Sequence, residues 1–107
     1  MPPYNRPPKE GVYKYVRLCE QLFYDDFDTN HNYIAKQEDI LKQMTHNRLS
    51  NPQDVGAGVF IVHRGEVLVS TNGSSTLDIP RDGLGADNDL QIFTEKSTPY
   101  GFTVRKL

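Results

Sequence analysis

From residue 58 onward, β-branched and aromatic runs alternate with turn residues. GVFIVH is followed by Arg64-Gly65, then EVLVST, then Asn72-Gly73, the strongest two-residue hairpin signal. The pattern predicts strands over residues 59–63, 66–71, 75–79, 90–95 and 100–106. Their connections are Arg64-Gly65, Asn72-Gly73, the long loop PRDGLGADND and Lys96-Ser97-Thr98-Pro99. Val59 and Ile61 alternate with Phe60 and Val62, so the first of these strands is expected to be covered on both faces.

The first half carries a different period. Val12, Val16, Cys19, Phe23 and Phe27 recur at steps of four and three, with Tyr15, Leu18 and Leu22 widening the stripe, which predicts an amphipathic helix over residues 10–27. Asp25, Asp26 and Asp28 sit where a helix C-terminus disfavours carboxylates, and the turn residues Thr29 to Asn32 follow. IAKQEDILKQM predicts a second helix over residues 34–44, and residues 48–57 read as a connector. Residues 1–8 hold four prolines and no apolar period, so they read as a flexible Pro-rich arm that adds little core. The expected fold is one α+β domain over residues 9–107, two N-terminal helices packed on a four- or five-stranded antiparallel β-meander.

Composition narrows the functional classes. Val, Ile, Leu and Phe make up about a quarter of the chain, above the roughly 20% below which disorder is expected. Cys19 is the only cysteine, which excludes an internal disulfide and a multi-cysteine zinc site. The start, MPPYNRPP, lacks the apolar core of a secretory signal, and no apolar run is long enough to span a bilayer, so a cytoplasmic location is expected. A net charge of −2 gives no reason to expect duplex nucleic acid or a membrane as partner. Charge is nevertheless segregated: Arg6, Lys9, Lys14 and Arg17 cluster near Tyr4, Tyr13 and Tyr15, while residues 20–39 are acidic.

Three local patterns bear on chemistry. In FDTNHNYIAKQED, Asp28, Asn30 and Asn32 stand at the alternating spacing of oxygen ligands to calcium, and the stretch resembles one degenerate EF-hand loop with Glu38 as the closing carboxylate. It departs from that pattern at Tyr33, which replaces the turn glycine, and either the loop is one residue short or Asp39 takes the last position. The ordinary alternative is a helix connection rich in Asn and Asp. TPYGFTV resembles the aromatic strand motif of RNA-recognition domains, which would give Tyr100 and Phe102 a base-stacking role; Thr98-Pro99 replaces its basic residue and glycine. The alternative is a terminal strand packing that same face inward. The loop over residues 80–89 offers Asp82, Asp87 and Asp89, which repel phosphate and favour a cation or a basic surface.

No nucleophile elbow, Walker loop, dinucleotide fingerprint or zinc-protease motif occurs, and Cys19 falls on the predicted apolar stripe as a core thiol. The reading is therefore a small non-enzymatic accessory, regulatory or inhibitor protein without a cofactor. It would bind another protein, one with a basic surface, through a sheet face or edge, using Asp82, Asp87, Asp89, Tyr100 and Phe102. Cation-dependent regulation through Asp28, Asn30, Asn32 and Glu38 and single-stranded nucleic-acid binding are the alternatives.

Overall fold

GVYKYVRL forms strand β1 (Gly11–Leu18) and QLFYDD forms β2 (Gln21–Asp26), paired antiparallel across the turn Cys19-Glu20, in a computed structural model that describes residues 3–107. The helix expected over residues 10–27 is thus a hairpin. The strand is buried on both faces from Tyr15 to Leu18, which erases the alternation that marks a half-exposed strand and leaves spacings that imitate a helical stripe. Cys19 lies exposed in the turn at φ 53°, not in the core.

Asn30 then caps helix α1 (His31–Gln37), its side-chain oxygen accepting from the Tyr33 N–H at 2.8 Å. The chain breaks at Asp39, φ 58°, before α2 (Leu41–Ser50), so the helix expected over residues 34–44 is two short ones. Ile34, Ala35, Ile40 and Met44 are buried against the sheet. A 3₁₀ turn at Pro52–Asp54 leads into β3 (Val55–His63) and β4 (Glu66–Ser70). Their hairpin turns at Arg64 and Gly65, both at positive φ, as a tight turn matched to strand twist requires.

Beyond β4 the expectations diverge again. No strand forms at residues 75–79. The stretch closes on itself through two hydrogen bonds between Ser74 and Ile79 and drops Leu77 and Ile79 into the core. Where a strand was expected over residues 90–95, helix α3 (Ala86–Ser97) forms, with Asp87 and Asp89 in its first turn and Lys96 in its last, as the helix dipole favours. It returns the chain to β5 (Thr103–Lys106), which pairs parallel to β4. The sheet order is β2-β1-β3-β4-β5. The architecture is a five-stranded mixed sheet with helices on both faces, which corrects the expected pair of N-terminal helices on an antiparallel meander. An intervening helix is what a parallel return strand needs.

Alternation divides the sheet into two cores. Tyr13, Tyr15, Phe60, Val62, Val67 and Val69 face α3 and its Ile92 and Phe93, whereas Val16, Leu18, Phe23, Val55 and Ala57 face α1 and α2. Phe60 and Val62 are buried as the first-strand reading required, but on the α3 face alone. The expectation that residues 1–8 add little core is corrected by Tyr4, which is fully buried; residues 1 and 2 of that segment lie outside the described residues. The Tyr4 N–H donates to the Leu22 carbonyl at 2.6 Å, its hydroxyl meets Ser97 Oγ at 2.7 Å, and its ring packs edge-on against Phe93 and Phe60 at 5.0 and 5.3 Å. Burial pushes the Tyr4 phenol up to about 12.

Candidate functional site

The residues with the densest polar chemistry are inside the protein. Arg17 on β1 and Asp89 on α3 are each about 1% exposed, and Arg17 Nε donates to Asp89 Oδ1 at 2.5 Å. The Tyr15 hydroxyl donates to Oδ2 at 2.6 Å. The guanidinium also reaches the carbonyls of Cys19, Gln53 and Gly85 at 2.8, 3.0 and 3.2 Å. Burial raises the Asp89 carboxyl above its usual range, against the pull of Arg17 and Tyr15. Gly56 lies so close that any Cβ there would collide with that carboxylate. Every buried polar atom of the cluster has a partner, which makes it a fastener between sheet and α3.

Alongside it, between β3 and the loop over residues 71–86, is an apolar cavity of about 90 Å³ lined by Val55, Ala57, Ile79 and Leu84. Such a volume is well below the roughly 300 Å³ at which small-molecule sites begin.

The accessible surface with a distinctive composition is on the other face of the sheet. Helices α1 and α2 cover the rows Val16–Ala57 and Leu18–Val55, and only the first residue of α1, His31, reaches on to Gly58. Two further rows continue toward the far end of β3. One runs Val12–Ile61–Leu68–Arg105 across four strands, and the other runs Asp25–Lys14–Val59–Ser70. Val12 is 45% exposed, and Val59, Ile61 and Leu68 are half-buried and lie outside the core that α1 and α2 cover. Exposed Phe27 flanks the strip, its ring 5.2 Å from the Lys14 ammonium. At the opposite end Arg105 pairs with Glu66 at 3.2 Å. Lys14 itself is half-buried, and among the described residues no carboxylate lies within ion-pair distance of it.

Comparison with family models, curated proteins and solved structures finds no match to this chain. Its own geometry therefore carries the functional argument.

The residues singled out from sequence are dispersed. Asp89 is the buried partner of Arg17 and is not displayed on a loop. Asp82 is exposed, but its carboxylate accepts from the Thr71 hydroxyl and pairs with Lys106 at 3.1 Å, and these contacts hold it below the usual carboxylate range. Asp87 is exposed on α3. Tyr100 is exposed on a 3₁₀ turn, while Phe102 packs half-buried against the α3-side core, so the two do not form one stacking platform. Tyr4, Tyr13 and Tyr15, the aromatic members of the basic cluster, are all buried.

Asp28 is in the β2–α1 connection, Asn30 serves as the helix cap, Asn32 is within α1 and Glu38 ends it, so a strand precedes the loop where an EF-hand has a helix. Among the described residues no group of three or more His, Cys, Asp or Glu side chains is placed to hold a metal ion. His31 is buried with Nε2 2.9 Å from the Gly58 carbonyl, and His46, His63 and Cys19 stand on separate elements. Among the described residues no helix is long and apolar enough to cross a membrane.

The strip itself was missed as a site. Its signal was present in the alternation Val12-Lys14-Val16, a charged residue set between apolar ones on one strand face.

Proposed function

We propose that this chain is a small non-enzymatic domain that binds another protein through the uncovered end of its sheet. The supporting observation is the row Val12–Ile61–Leu68, three aliphatic side chains adjacent across three strands and left open where α1 and α2 end. Contiguous apolar surface bordered by charge is characteristic of interaction sites, whereas scattered exposed aliphatics are not. The role assigned to the acidic loop narrows accordingly, since Asp89 is internal and Asp82 is engaged by Lys106. The sheet face then carries recognition, and a cytoplasmic setting remains part of the proposal.

The test compares the native chain with Val12→Glu, a substitution at an exposed position that leaves the core intact. A specific partner recovered by the native chain should be lost with Val12→Glu at unchanged melting temperature. Equal recovery by both would remove the strip from consideration.

A further inference from the structure

Resting on that reading, we propose that the element received by the strip is an acidic amphipathic helix of the partner, with one of its carboxylates paired to Lys14. The strip is apolar along one row and carries a single cation in the next, between Asp25 and Val59 in cross-strand register. Lys14 is half-buried and its ammonium rests near the Phe27 ring, and close to it stands His31, whose imidazole is held below its ordinary pKa by burial, with the lysine charge acting in the same direction. An ammonium set between Val12, Val16 and Val59, with its cross-strand neighbour Asp25 outside ion-pair distance, is paired weakly now. A ligand that excludes water there has to supply the counter-charge, or it strands the lysine. A basic ligand would add a like charge at the same point. The other cation on the row, Arg105, already has Glu66.

Shape argues for a helix. The neighbouring rows of this face are covered by helices, and the strip is the part of that layer left unfilled. Its two rows lie roughly 7 Å apart along the strands, and β1, β3 and β4 together span about 10 Å, which suits one helix about 10 Å in diameter. An added strand would instead pair along an outer edge of the sheet, β5 or the part of β2 beyond the Pro3–Phe23 bridge, and would not lie over the strip.

The probes are two synthetic peptides of about 14 residues, about 21 Å as helices, sharing one leucine stripe and differing only in Glu or Lys on its flanks. Binding to the full chain is followed by amide chemical shifts. The acidic peptide should move Val12, Lys14, Val59, Ile61 and Leu68 saturably and gain helicity, and the basic peptide should bind about tenfold more weakly. Lys14→Glu should reverse that order, and Lys14→Met, which keeps the apolar stem, should abolish the preference while preserving the fold.

Equal binding of both peptides at the strip would overturn the acidic partner and leave the sheet-face reading standing. Shifts confined to an edge strand, β5 or β2, would overturn the helix in favour of strand addition. Strip resonances that move with protein concentration alone would assign the strip to a second copy of the chain and overturn the proposal. The same applies if neither peptide touches the strip. Loss of a captured partner on Val12→Glu, measured separately, tells that failure from failure of the sheet-face reading.

Discussion

Arg17 and Asp89 meet at 2.5 Å across 72 residues of sequence, joining the second half of β1 to the first turn of α3. Removing one member leaves the other charged and dry. Arg17→Met or Asp89→Leu alone should each cost about 3–5 kcal/mol, while the double variant should recover much of the loss, since an apolar pair replaces a buried ion pair at little net cost. Chemical denaturation of the four proteins measures the coupling, and additive losses would show that the pair is not a unit.

The same contact constrains a glycine. Gly56→Ala places a methyl group against the Asp89 carboxylate, with no flexible chain end to yield. A loss of about 1–3 kcal/mol is expected. Thermal melts of Gly56→Ala should show it, and the loss should shrink when Asp89 is also replaced by Ala.

Tyr4→Ala should destabilise by about 3–5 kcal/mol, because it empties a fully buried aromatic site. Tyr4→Phe keeps the ring and loses only the Ser97 contact, so about 1 kcal/mol is expected. Its effect on pH dependence is separate. The folded phenol ionises near 12 and the unfolded one near 10, so stability attributable to Tyr4 falls as pH rises above 10. Tyr4→Phe should flatten that alkaline decline, as read from melting temperatures across the range.

His31 gives the acid counterpart. Burial lowers its folded value below the 6.5 of the free side chain, so in that interval the unfolded chain holds the extra proton. Its contribution is complete above 6.5 and declines as pH falls through that value toward the folded one. His31→Gln, which retains a donor for Gly58, should remove this component of the pH–stability profile. An unchanged slope between pH 7 and 5 would assign it elsewhere.

Parts of this fold were legible. Strand β4 falls where EVLVST placed it and β3 covers GVFIVH, the Arg64-Gly65 turn fixing their shared end, and the helical character of residues 34–44 survives as two pieces; the stretch 48–57 read as a connector is instead the end of α2, a 3₁₀ turn and the start of β3 at Val55. The β1–β2 hairpin was not legible. Its turn, Cys19-Glu20, lacks glycine and asparagine, and a strand buried on both faces shows no alternation. Helix α3 was hidden for a related reason. Asp89 occupies an inward position that an apolar residue would normally mark, so the spacing from Ala86 through Asp89 to Phe93 and Ser97 did not read as a helix face. A buried ion pair removes the hydrophobic signal at both of its members. The binding strip depended on where α1 and α2 stop, which is a tertiary fact.

Tyr4 reaching Ser97, 93 residues away, also bears on how the chain acquires its structure. The aromatic core on the α3 side draws on β1, β3 and β4, but its lid is α3 and its corner is Tyr4. A chain emerging from the ribosome would hold the four strands before α3 with one apolar face uncovered until residue 97 is free. High-separation contacts of this kind slow the search for the native topology. In that interval the apolar face is open to non-native contacts, and the docking of α3 is what closes it.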